Sequence, residues 1–123
     1  MILVDTSVWI DHLRLKDDHL VSALLAGYVL IHPWVIGELT CGTLKDRGHV
    51  LELLRSLPAS PVALENEVLF FIEQNNLMGK GIGYVDIHLL ASTQLAGARL
   101  WTRDKRLIVV ANELSVAYSE TLH

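Results

Sequence analysis

Four acidic residues sit where chemistry could use them. Asp5 ends the apolar run Ile2, Leu3, Val4, which has no polar alternation and reads as a strand buried on both faces. Asp104 lies just past a second strand candidate, Arg99 to Thr102. Glu38 is expected on the inward face of an apolar helix candidate that opens at Pro33; it is the only acid there, and no Lys or Arg stands one turn from it. Asp86 falls in the first turn of a helix after a glycine loop, where the helix dipole favours a carboxylate. Alone, Asp5 would read as the cap of the helix that follows; three more acids in similar settings favour a site. Carboxylates gathered without basic partners repel one another unless a hard cation is bound. Oxygen-only donors suit Mg²⁺, with Mn²⁺ as a substitute, better than zinc. Such an ion would activate a water and stabilise the charge of an in-line phosphoryl displacement.

The intervening segments must bring these four together. A short helix from Ser7 to about Arg14–Lys16 carries Trp9, Ile10 and Leu13, and a second runs from Asp17 or Asp18 to a stop at Gly27. Tyr28–Ile31 is a compact strand candidate. Helices follow at Pro33, over Val50–Leu57 and over Glu65–Met78, the last with Val68, Phe71 and Ile72 inward. Pro58–Pro61 breaks the chain, and Val62–Ala63 forms a brief strand. Tyr84–Ala96 is apolar almost all round, so it packs centrally, and Gly97 ends it. Leu107–Leu114 is helical and Val116–Tyr118 is a final edge strand. Strands alternating with helices through right-handed crossovers predict an α/β fold with a mostly parallel central sheet, in one domain spanning residues 1–123. That topology puts successive strand ends, and hence the acids, on one edge.

Composition narrows the partners. The chain of 123 residues is 51% hydrophobic and carries a formal net charge of −4, with 14 acidic against 10 basic residues. Setting the four acids aside leaves ten against ten, so the acidic balance does not exclude a nucleic-acid substrate. No apolar run approaches a membrane span and no signal peptide opens the chain, which points to the cytoplasm and away from membranes. A single Cys41 fits a reducing compartment and reads as a small core residue. The six histidines show no zinc spacing and read as satisfied or exposed. Trp9, Trp34 and Trp101 read as core, while Tyr84 stands at the mouth beside the loop Gly79–Gly83, which has neither phosphate-binding glycine pattern. No nucleophile triad is evident. A phospho-accepting receiver domain would need adjacent acids after its first strand, and Thr6 follows Asp5 here. A haloacid-dehalogenase-type phosphatase would need an Asp where Ser7 stands.

The segments LVDTSVWIDHLR, GELTCG, GIGYVDIHLLAS and WTRDKRL resemble the successive motifs of PIN domains, specifically VapC-type toxins of bacterial toxin–antitoxin pairs. The resemblance covers essentially the whole chain. It implies a Mg²⁺-dependent endoribonuclease with catalytic and metal-binding acids at Asp5, Glu38, Asp86 and Asp104, supported by the hydroxyls of Thr6, Ser7 and Thr102. It also implies inhibition by a small antitoxin, which would lay a helix in an apolar groove, and frequent homodimerisation. Arg103, Lys105 and Arg106 flank Asp104, and Lys80 lies in the glycine loop; these are the expected contacts to RNA phosphates. One departure is Arg106, where many relatives carry an acid or Asn. A catalytically silent PIN-like binding module is the other reading.

Overall fold

The computed structural model describes residues 1–120; the C-terminal His123, read above with the other histidines, lies outside them. Three short parallel strands form the centre: β1 (Ile2–Val4), β2 (Val29–Leu30) and β3 (Arg99–Trp101), in the order β2-β1-β3. Single parallel bridges extend the sheet at both margins, Ile31 to Ala59 beside β2 and Leu100 to Ala117 beside β3. The helices are α1 (Thr6–Arg14), α2 (Asp18–Leu25), α3 (Pro33–Thr40), α4 (Arg47–Ser56), α5 (Glu65–Gln74), α6 (Tyr84–Ala96) and α7 (Lys105–Glu113). This is the expected α/β class with a parallel sheet.

The reasons are local. β1 is a continuous apolar run because helices cover both faces of the sheet; Leu3 and Val4 are fully buried. In α6, every residue from Ile87 to Thr93 is buried, so this helix is the central support of the layer. Two of its polar members, Ser92 and Thr93, are satisfied inside. Thr93 Oγ1 donates to the Leu89 carbonyl, and Ser92 Oγ lies 3.1 Å from His32 Nε2. His32 Nδ1 accepts the Trp34 N–H at 3.1 Å, so Nε2 carries the proton and donates to Ser92. Burial, with a smaller push from His88, lowers the His32 imidazole to about 4 and keeps it neutral. One buried side chain thus ties the start of α3 to α6.

Several boundaries differ from the sequence reading. α5 stops at Gln74 rather than Met78, because Asn76 turns left-handed (φ 52°) and the Leu77 N–H closes on the Ile72 carbonyl. The strand expected at Val62–Ala63 is absent; the bridge at that margin falls on Ala59, where Ile31 and Ser60 exchange backbone bonds with their neighbours. The edge strand at Val116–Tyr118 is reduced to one bridge, held by Leu100 N–H to Val116 O (2.7 Å) and Tyr118 N–H to Leu100 O (2.9 Å). Cys41 is exposed at the end of α3, not in the core.

Candidate active site at the strand ends

Asp5 occupies the N-cap position of α1 without capping it by its side chain. Its carboxylate is 6% exposed and takes two hydroxyl bonds on one oxygen: Ser7 Oγ at 2.7 Å and Thr102 Oγ1 at 2.8 Å, both to Oδ2. Each hydroxyl in turn accepts a backbone N–H, Ser7 from Arg103 (3.0 Å) and Thr102 from Asp104 (3.1 Å). The lone pairs are thereby engaged and both protons are aimed at Asp5. A plain helix cap would have used that carboxylate on a helix N–H. Oδ1 of Asp5 has no hydrogen-bond partner among the described residues.

The other three acids arrive from separate elements. Asp104 is the N-cap of α7, its Oδ1 accepting Leu107 N–H at 3.0 Å. Asp86, in the first turn of α6, accepts Gly83 N–H at 3.1 Å through Oδ2. Glu38 is exposed on α3 and accepts Thr6 Oγ1 at 2.7 Å through Oε1, so it reaches the site along the surface and not from the inward-facing position expected of it. Asp104 is exposed as well. Burial pushes the Asp86 carboxyl upward, and the charges of Asp5, Asp104 and Glu38 push it the same way, against the Gly83 bond. The four acids are thus electrostatic neighbours. None of them forms an ion pair among the described residues.

Among the described residues, no group of three or more His, Cys, Asp or Glu is placed to hold a metal ion together. That pattern is incompatible with a structural zinc site but not with Mg²⁺, which keeps several waters and takes one or two carboxylates directly. The donor chemistry fits a hard cation: all oxygen, mutually repelling, with Asp5 Oδ1 unengaged.

The basic residues divide. Arg103, expected near phosphate, has its guanidinium bound to Asp11 (2.9 Å), Asp17 (2.6 Å) and Glu120 (2.6 Å). Burial would lower its pKa, but these bonds outweigh it and raise the value. Lys80 pairs with Glu113 at 3.6 Å, both half-exposed. Arg106 lies over the glycine loop, 3.0 Å from where a Cβ on Gly81 would stand. Lys105 is exposed with no ion pair among the described residues. Trp9 and Trp101 are buried, whereas Trp34 is half-buried and stacks on His88 at 4.0 Å. Tyr84, 41% exposed, meets His88 edge-on at 4.8 Å. His88 corrects the expectation of satisfied histidines: it is buried, and its Nδ1 has no hydrogen-bond partner. The clamp role of Arg103 is not legible in the sequence because its three partners, Glu120, Asp17 and Asp11, lie 17, 86 and 92 positions away, with no local spacing to mark them.

The PIN-domain family model matches residues 2–113. Two relatives from strains of Mycobacterium tuberculosis, each named Ribonuclease VapC32, are 50% identical over 121 residues, covering 98% of both chains. Among solved structures, FitAcB from Neisseria gonorrhoeae superposes with a TM-score of 0.63 at 21% identity, covering 100% of this chain and 99% of that one. PAE2754 from Pyrobaculum aerophilum gives 0.61 at 17% identity, over 89% and 78%. The last two are likenesses of fold. The chain belongs to the PIN-domain family, and the resemblance to its VapC-type members drawn from the four motifs is borne out.

Proposed function

We propose that this protein is a metal-dependent endoribonuclease, the toxin half of a VapBC-type toxin–antitoxin pair. The observation that carries the reading is the gathering of acids around Asp86: three further carboxylates, at the N-caps of α1 and α7 and on α3, act on it with no cation among the described residues paired to any of them. A binding module that merely held RNA would gain nothing from repelling the phosphate backbone. The 50% identity to proteins named as ribonucleases supports the same conclusion.

Asp5, Asp86 and Asp104 would hold Mg²⁺ or Mn²⁺, with Glu38 completing the acidic rim through water. The ion would supply Lewis acidity at the scissile phosphate and a water of lowered pKa. The chain's own work is orientation. Ser7 and Thr102 fix Asp5, Gly83 N–H fixes Asp86, Thr6 fixes Glu38 and Leu107 N–H fixes Asp104. Lys105 and Arg106, and Lys80 once its exposed pair with Glu113 opens, would meet phosphates beside the site. Exposed ion pairs are worth little, so that opening is cheap. Arg103 is already committed elsewhere and is given no phosphate here.

The antitoxin would lie in a groove of about 470 Å³ between α1 and α3, where Ile10, Leu13 and Leu39 are flanked by Arg14, Lys45 and Glu38. A homodimer and a cytoplasmic setting complete the proposal; among the described residues no helix is long and apolar enough to cross a membrane. The test is cleavage of RNA by purified, antitoxin-free protein with Mg²⁺ or Mn²⁺, with and without EDTA. We expect cutting that stops in EDTA and in Asp5→Asn. Undiminished cutting by a folded Asp5→Asn protein would overturn the reading.

A further inference from the structure

The residue between Thr102 and Asp104 sends its side chain away from the acids while its backbone N–H serves them. The Arg103 guanidinium binds three carboxylates from three places: Asp11 in α1, Asp17 at the cap of α2, and Glu120 near the end of the described chain. It also lies 5.5 Å from the centre of the Trp101 ring, and Trp101 Nε1 donates to the same Glu120 oxygen at 2.7 Å. A planar fork bonded on several sides loses little freedom on docking and holds its own main chain in place. That main chain is the source of the N–H bonded to Ser7 Oγ, and the next N–H along, from Asp104, is bonded to Thr102 Oγ1. If either amide moved, its hydroxyl would be free to turn its proton away from Asp5.

We propose that Arg103 is a positioning residue for Asp5: its clamp on Asp11, Asp17 and Glu120 fixes the backbone amides that orient the Ser7 and Thr102 hydroxyls onto the Asp5 carboxylate. The chain of contacts runs from α1, α2 and the C-terminal segment through Arg103 to one carboxylate oxygen, and every link is shorter than 3.2 Å. Asp5 then presents a single, fixed oxygen to whatever occupies the site. Orientation of this kind by outer partners is worth 10- to 100-fold in metal affinity or rate. The competing role is a direct phosphate contact, which the position of Arg103 in a basic run would suggest; a guanidinium held by three carboxylates, with four of its five N–H groups bonded to them, has its charge already neutralised.

The test uses the full chain as wild type, Arg103→Met, Arg103→Lys and Glu120→Gln. Its first readout is amide hydrogen exchange, which needs neither metal nor RNA. The amides of residues 103 and 104 should exchange at least about tenfold faster in Arg103→Met, and less so in Glu120→Gln. Those of Ile2 and Ile31, bonded in the sheet to Tyr28 and Pro58, should be unchanged. The second readout rests on the nuclease reading above: kcat for a cleavable RNA should fall about 10- to 100-fold in Arg103→Met, with KM unchanged and partial recovery in Arg103→Lys. Equal acceleration of all four amides would make Arg103 a general stabiliser and overturn the proposal. So would a raised KM with intact kcat and a salt dependence flatter by about one phosphate contact. If Arg103→Met does not fold, Glu120→Gln, which leaves two of the three carboxylates, carries both readouts. A wild type that cuts no RNA would sink the nuclease reading, while the exchange rates still decide the clamp.

Discussion

At Asp86 the two requirements of a site and of a stable fold pull apart. Its carboxyl is pushed upward by burial and by three like charges, while in the unfolded chain it has its ordinary value of 3.8. A group raised on folding holds its proton longer when folded, so its contribution to stability is present below pH 3.8 and is lost as pH rises through the folded value. At neutral pH the ionised Asp86 therefore works against the metal-free fold. Asp86→Asn removes the charge and keeps an oxygen for Gly83 N–H. We expect this variant to melt higher than wild type in EDTA and to lose cleavage, the trade found at functional sites. Mg²⁺ should stabilise the wild type by mass action and the variant less. Thermal melts of both proteins with EDTA and with excess Mg²⁺ check this; a variant that melts lower in EDTA would make Asp86 a structural cap.

At the scale of elements, the stop of α6 is as consequential as its start, because β3 must follow within two residues to deliver Thr102 to Asp5. Gly97 makes that turn in the left-handed region (φ 61°), and a Cβ there would meet no atom within 4 Å. The cost of Gly97→Ala is thus conformational alone, about 1 kcal/mol, with no steric addition. Urea denaturation should show that loss with an unchanged m-value, and Gly97→Asn should lose less because Asn tolerates this region better. A loss several times larger would mean that the turn carries contacts beyond its backbone geometry. The short strands make such turns matter: two or three residues of pairing cannot hold a strand end in place without defined stops on either side.

For the molecule as a whole, the pH response of folding should be governed on its acid side by His32. Buried and neutral, it titrates at about 4 when folded and at 6.5 when unfolded. A depressed value means that its stabilising contribution is complete above pH 6.5 and is lost as pH falls from 6.5 toward about 4. The slope should approach ~1.4 kcal/mol per pH unit at most, one proton's worth. Chemical denaturation across pH 4 to 7 reads that slope. A His32→Asn protein should start less stable, having lost the tie from α3 to Ser92, and should show a flatter dependence over the same window. An unchanged slope would assign the acid response to other groups.

The strand Ile2–Val4, the central helix Tyr84–Ala96 and the parallel α/β class were legible from local pattern, because an unbroken apolar run or an all-round apolar helix has few other ways to be buried. The candidate acids were legible for a related reason: a carboxylate without a nearby basic residue, set at an apolar element's end, is costly unless it has a use. Tertiary structure decided what each does. Only the packed molecule shows that the Asp5 carboxylate takes two hydroxyls instead of capping α1, and that Glu38 is exposed and held by Thr6. Only there does Arg103 leave the basic run to bind Asp11, Asp17 and Glu120. Local pattern records which residues prefer to be buried or to end a helix, since those preferences act over one turn or one strand. Which hydroxyl meets which carboxylate across 97 positions, as Thr102 meets Asp5, depends on chain closure by the whole sheet, and no spacing in the sequence encodes it.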